Sequence, residues 1–124
     1  MDDMNNLYET IGAALDLGRA FYYAHWNTEM TDGGQSYHEL LKRAYEGLYD
    51  LADKLSERVR GLSGTNVVRV DSRDFASPSG PLEARKILLT FAKGLSSQDR
   101  GIENLFCGYE EETEALSDLL LNLL

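Results

Sequence analysis

Along most of the chain, apolar residues recur at three- and four-residue steps, the period of an α-helix that buries one face. From Leu7 to about Asn27 the stripe is Leu7, Ile11, Ala14, Leu15, Gly18, Phe21, Tyr22, His25 and Trp26, which predicts a first amphipathic helix. Thr31-Asp32-Gly33-Gly34 reads as a tight reversal, with Ser36 as the N-cap of a second helix. That helix carries Tyr37, Leu41, Ala44, Leu48, Leu51, Leu55, Val59 and Leu62, close to a heptad repeat, and is expected to end over Gly61 to Gly64.

The pattern is lost between Thr65 and Pro81. Val67-Val68-Arg69-Val70 is briefly strand-like and Ser77-Pro78-Ser79-Gly80-Pro81 is turn material, so the segment reads as a crossover connection between helices. A third helix begins near Pro81, a favoured first-turn residue. Its stripe is Leu88, Phe91, Ala92, Leu95, Ile102, Leu105, Phe106 and Tyr109, with Gly94 to Ser97 as the point where it would kink or break. Gly94, Gly101 and Gly108 recur every seven residues, a line of glycines that suggests close approach of a neighbouring backbone. Glu112 to Leu124 then forms a short last helix with Leu116, Leu119, Leu120, Leu123 and Leu124 on its period. Four helices with one long connection between the second and third describe an all-α, ferritin-like four-helix bundle with a crossover.

Composition narrows the function classes. A chain of 124 residues, 43% hydrophobic and 27% charged, makes one folded domain, residues 1–124. A net charge of −9 argues against DNA binding, because phosphate recognition rests on basic patches; it suits the attraction of cations. The single cysteine, Cys107, lies in an apolar stretch and reads as a buried, inert thiol. The opening Met1-Asp2-Asp3-Met4 is the reverse of a secretory leader, and no apolar run nears the ~20 residues needed to cross a bilayer, so a cytoplasmic location with no membrane partner is the expectation.

The candidate chemistry centres on the chain's two histidines, His25 at the end of the first helix and His38 at the start of the second. A short reversal between antiparallel helices brings such positions together. Asp53 and Glu57 stand four residues apart on one face of the second helix, where like charges repel unless a cation lies between them. His38 and Asp53 are fifteen residues apart on that helix, ~22 Å at its rise per residue, so they cannot hold one ion within a chain. Antiparallel packing of the helix against its own copy about a two-fold axis would bring the His38 end of one subunit beside the Asp53–Glu57 end of the other. Mixed imidazole and carboxylate ligands with room for solvent suit Fe(II), with Zn(II) and Mn(II) as competitors.

At these residues the sequence resembles the Dps mini-ferritins. The resemblance rests on Ala24-His25-Trp26-Asn27, on His38-Glu39-Leu40, and on Asp53 leading into Ser56-Glu57-Arg58-Val59-Arg60-Gly61-Leu62-Ser63-Gly64. It covers residues 7–64 well, and Ser117-Asp118-Leu119-Leu120 resembles the start of the family's last helix. It implies a homo-oligomer built on a two-fold dimer, with His25, His38, Asp53 and Glu57 forming an intersubunit ferroxidase site. There Fe(II) is oxidised, by peroxide in preference to oxygen, and stored as mineral inside a hollow dodecamer. Trp26, beside His25, would donate electrons to oxidising equivalents formed at the site, and would otherwise serve as a core or interface aromatic. Tyr22, Tyr23, Tyr37, Tyr45 and Tyr49 read as interface and core packing. The acidic Glu110, Glu111, Glu112, Glu114 and Asp118 precede and open the last helix, where they suit its positive N-terminus or, by resemblance, an iron-guiding pore.

Several features depart from the family pattern. The interval between the histidines is one residue longer, a difference the Gly33-Gly34 turn can absorb. Lys42 stands one turn beyond His38, where some members carry an acidic ligand to a second iron, and a lysine disfavours that second cation. The terminal lysine-rich tail through which many members coat DNA has no counterpart here, and the last helix lacks the family's final turns, which help to close the shell. The competing expectation is therefore a structural or interaction protein that retains the bundle without storing iron and docks its own copy or a heterologous partner on its apolar Leu119-Leu120-Leu121 and Leu123-Leu124 end.

Overall fold

The computed structural model describes residues 2–28, 32–67 and 74–123. Four helices follow one another: α1 (Asp2–Trp26), α2 (Asp32–Ser63), α3 (Pro81–Lys93) and α4 (Arg100–Leu121), with no strand among the described residues. Of the strand-like run, Val68, Arg69 and Val70 lie outside those residues, while Val67 packs against the core.

Several boundaries differ from the sequence reading, and α1 begins at Asp2 rather than near Leu7. The helix α2 begins at Asp32, so Gly33 and Gly34 are helical and Ser36 is not its N-cap. Glycine costs a helix about 1 kcal/mol relative to alanine, a penalty that packing of the long apolar stripe on α1 outweighs. The larger difference concerns the second half. The helix that starts at Pro81 breaks at Gly94, within the span where the sequence offers a kink or break, and the expected short last helix from Glu112 is instead the end of a 22-residue α4 that starts at Arg100.

The break has local causes. Gly94 caps α3, its N–H reaching the Thr90 and Phe91 carbonyls at 3.2 Å. Asp99 then caps α4 from an extended conformation, its Oδ2 accepting from the Ile102 N–H at 2.9 Å. Ser97 closes the junction, its N–H donating to the Glu103 carboxylate at 2.9 Å and its hydroxyl accepting from the Asp99 N–H at 3.1 Å. Consequently Glu110, Glu111 and Glu112 lie within α4 and do not sit at a helix N-terminus.

The core is drawn from all four helices. Leu7, Leu17 and Phe21 of α1, Leu41, Leu48, Leu51 and Leu55 of α2, Leu88 of α3, and Ile102 and Leu120 of α4 are almost wholly removed from water. Each such side chain contributes about 1.5–3 kcal/mol of transfer free energy. Leu17, outside the predicted stripe, takes the core position, whereas Leu15 is exposed. Cys107 is exposed rather than buried, because Phe106 turns inward and the next position is rotated about 100° around the helix.

Helix α1 packs along α2, α2 against α4, and α4 against α3, which leaves the α1–α3 side as the sparse seam. Ser77, just before α3, donates from its hydroxyl to the Ala20 carbonyl at 2.9 Å, so the entry to α3 is tied to the C-terminal half of α1. Among the described residues no backbone from another helix approaches the glycine line: an added Cβ would meet only α3's own Thr90 and Phe91 carbonyls at Gly94, the Arg58 guanidinium at 3.0 Å at Gly101, and nothing within 4 Å at Gly108. The intimate glycine contact is instead at Gly18, where a Cβ would lie 2.7 Å from the Tyr49 ring. Among the described residues no helix is long and apolar enough to cross a membrane.

Candidate metal centre

His25 lies in the last turn of α1 and His38 near the start of α2, and the reversal between these helices brings them together. Their rings stack, centroids 3.6 Å apart and planes 21° from parallel. The bonding is reciprocal: His25 Nδ1–H donates to the His38 carbonyl at 2.9 Å, and His38 Nδ1–H donates to the His25 carbonyl at 2.8 Å. A carbonyl oxygen can only accept, so each Nδ1 carries a proton and Nε2 is the nitrogen left to offer a lone pair. Backbone carbonyls thus provide the outer hydrogen bonds that orient metal-ligating imidazoles elsewhere.

Around the histidines is a continuous set of aromatic rings. Tyr45 meets His25 edge-on at 5.3 Å and stacks on Tyr22 at 4.5 Å; Tyr22 meets the Trp26 ring edge-on at 4.7 Å; Trp26 in turn meets Tyr23 at 5.2 Å. Trp26 is 61% exposed and so is not a core residue of the single chain. Tyr23 is also exposed, whereas Tyr22, Tyr37, Tyr45 and Tyr49 are half-buried. Loss of hydration raises the Tyr45 and Tyr49 phenols above their ordinary range, and burial, followed by the nearby Glu83 charge, pushes Tyr37 up to about 12.

Asp53 and Glu57 are both exposed on α2, one turn apart. Their basic sequence neighbours are held by other partners. Lys54 Nζ lies 2.8 Å from Asp50, and the hydrogen bond to that carboxylate raises its ammonium above its usual range. Arg58 donates from Nε and Nη2 to the Asp99 carboxylate at 3.2 and 3.3 Å, which holds Asp99 below the ordinary carboxylate range. Both adjacent cations are therefore directed elsewhere, and the Asp53 and Glu57 carboxylates have no ion pair among the described residues. Lys42, beyond His38, is exposed.

The chain brings together the two histidines and, separately, the two carboxylates. It does not bring the pairs to each other, as their helical separation requires. Among the described residues no three His, Cys, Asp or Glu side chains converge. Sequence reasoning missed the two ion pairs made by the basic residues next to Asp53 and Glu57. The Lys54–Asp50 spacing of four residues was a readable signal, whereas Arg58–Asp99 joins residues 41 apart across two helices. Comparisons with protein families, curated proteins and solved structures find no match for this chain.

Proposed function

We propose that the protein is a Dps-like, ferritin-related bundle that captures and oxidises Fe(II) at a site shared between two copies. The reciprocal histidine pair carries this reading: two imidazoles with Nδ1 protonated by design offer two oriented Nε2 lone pairs, a donor set suited to a borderline divalent cation. Asp53 and Glu57 of a second copy, which form no ion pair among the described residues, would supply the anionic half. Fe(II) is the substrate, and each ion gives up one electron. Two such electrons, with two protons, reduce one hydrogen peroxide to two waters. Trp26, in edge contact with Tyr22 and two rings from Tyr45, is positioned to supply an electron to a stray oxidant.

The tie between Ser77 and the C-terminal half of α1 supports the finer fold reading, a connection from α2 to α3 that crosses the length of the bundle as in ferritin-like proteins. The assembly would be a homo-oligomer founded on the two-fold dimer, with the closed dodecamer as its storage form, and with Zn(II) or Mn(II) able to compete for the site. Exposed Leu119 and Leu121 favour the second reading, a bundle that serves as an interaction module with a heterologous partner.

Anaerobic Fe(II) titration followed by addition of peroxide distinguishes the two. The ferroxidase reading expects saturable Fe(II) binding and peroxide-driven oxidation that Asp53→Ala with Glu57→Ala abolishes. Equal oxidation rates for the wild type and this double variant would refute it.

A further inference from the structure

Helical spacing alone gathers aromatic rings beside His25 in the last turns of α1. Tyr22 and His25 are three residues apart, Tyr22 and Trp26 four, and Tyr23 and Trp26 three, the steps at which side chains on a helix meet. Tyr22 is the junction. Its ring meets His25 edge-on at 6.3 Å and Trp26 edge-on at 4.7 Å, and stacks on Tyr45 of α2 at 4.5 Å with planes 19° apart. Tyr45 returns to His25 at 5.3 Å, so the inner end of the chain of rings closes on the imidazole. At the outer end Trp26 lies 5.2 Å from Tyr23. Core packing accounts for Tyr22 and Tyr45, which are half-buried. It does not account for Trp26 and Tyr23, which are 61% and 49% exposed and gain little from burial.

Electron counting gives the rings a task. Peroxide takes two electrons, and one Fe(II) gives one. Lys42, one turn beyond His38, disfavours a second cation beside the first. A site that holds a single Fe(II) therefore needs its second electron from elsewhere. We propose that the rings form an electron relay, running from Tyr23 through Trp26 to Tyr22, that delivers this electron to the iron site inferred above, on which the role rests. The final donor is a soluble ene-diol reductant of the ascorbate type. In the balanced step Fe(II) becomes Fe(III), and one tyrosine loses an electron and its phenolic proton to become a neutral radical. With one further proton from solvent, the peroxide O–O bond breaks and two waters form. The radical vacancy then moves outward from Tyr22 to Tyr23, two phenols of the same chemistry bridged by Trp26. At the surface the reductant gives a hydrogen atom to the tyrosyl radical and restores the phenol.

Pulse radiolysis of the iron-free protein tests the relay without the metal. The azide radical takes an electron from tryptophan in preference to tyrosine at neutral pH. Trp26 is the one tryptophan in the chain, so the vacancy starts on a known ring. Tryptophanyl absorbance should decay as tyrosyl absorbance rises, at a rate independent of protein concentration. Tyr23→Phe should retain that transfer, now inward to Tyr22 alone. Tyr22→Phe with Tyr23→Phe should abolish it, and phenylalanine keeps the ring packing in both variants. Transfer at the wild-type rate in the double variant overturns the proposal, as does its loss in Tyr23→Phe alone. A wild-type rate that climbs with protein concentration, or a Trp26 that the azide radical fails to oxidise, also overturns it. Freeze-quench electron paramagnetic resonance of Fe(II)-loaded protein mixed with peroxide then reads the relay in use. A tyrosyl signal is expected, with one Fe(II) consumed per peroxide. Two Fe(II) per peroxide and no radical would overturn the relay and leave the ferroxidase site standing. Rapid radiolytic transfer without any Fe(II) oxidation would refute the iron site and uphold the rings as an electron path.

Discussion

The two halves of the candidate metal centre are built in opposite ways. At the start of α2, His38 is locked to His25 by two hydrogen bonds to backbone carbonyls and by ring stacking, so the imidazoles are oriented before any ion arrives. Fifteen residues later, Asp53 and Glu57 stand exposed with no ion pair among the described residues, while Lys54 and Arg58 pair with Asp50 and Asp99. One half is ordered by its own chain and the other is left electrically incomplete. A site divided in this way has its directional ligands fixed in advance and gains its charge neutralisation only when a second chain and a cation are both present.

The strongest way to break that contrast is a mixing experiment. A chain carrying His25→Ala with His38→Ala, and another carrying Asp53→Ala with Glu57→Ala, should each lack peroxide-driven Fe(II) oxidation. Refolded together in equal amounts, half of the two-fold dimers would be mixed, and each mixed dimer would hold one complete site of two. Activity should then return to about a quarter of the wild-type value. Oxidation rates that stay at background after mixing would show that the two pairs never meet across an interface. Undiminished oxidation by either variant alone would remove that pair from the site.

A smaller effect tests whether the histidine half depends on its seam. Tyr49 lies against the backbone of Gly18 on α1 and neighbours Tyr45 at 6.0 Å, and Tyr45 in turn abuts His25. Gly18→Ala forces the Tyr49 ring to shift and should destabilise the fold by about 1–2 kcal/mol in urea denaturation, despite the better helix propensity of alanine. Gly108→Ala provides the control. It lies in the interior of α4 with open space beside it, and should stabilise the fold by about 0.5–1 kcal/mol. Equal effects from the two substitutions would mean that the α1–α2 seam is no tighter than an open helix face.

The first half of the chain was more legible than the second, for a physical reason. In α1 and α2 most of the apolar stripe and the histidine positions agree with the packing, so local pattern and tertiary structure point the same way. From Pro81 onward the stripe continues in phase across the α3–α4 junction, and periodicity alone does not see the break. The capping groups do: Gly94, then Ser97 and Asp99 with Glu103, form a stop and a start whose hydrogen bonds outweigh the continuous pattern. Cys107 was misplaced by averaging over an apolar neighbourhood, although a single residue step carries a side chain from the core face to solvent. The locking of the histidines was not readable at all, because it runs through backbone carbonyls, which every residue possesses.

The smallest effect concerns the carboxylate half and its dependence on Asp99. This residue both caps α4 and accepts two hydrogen bonds from the Arg58 guanidinium. Asparagine preserves a capping oxygen but removes the charge, so Asp99→Asn isolates the pairing with Arg58. The Arg58 hydrogen bond, followed by the Ile102 N–H, lowers the Asp99 pKa below its ordinary value of 3.8. A carboxyl group whose pKa is lowered by folding adds stability that is present above that ordinary value and is lost as pH falls through the folded one. The variant should therefore melt below the wild type at pH 7, and the two curves should converge as pH falls below the lowered folded value. At neutral pH the released guanidinium can also turn toward Glu57, so the same substitution should weaken Fe(II) binding in anaerobic titration while leaving both histidines in place. A melting difference that persists unchanged to low pH would trace the effect to the cap, and Arg58 would then have no part in keeping the carboxylate half open.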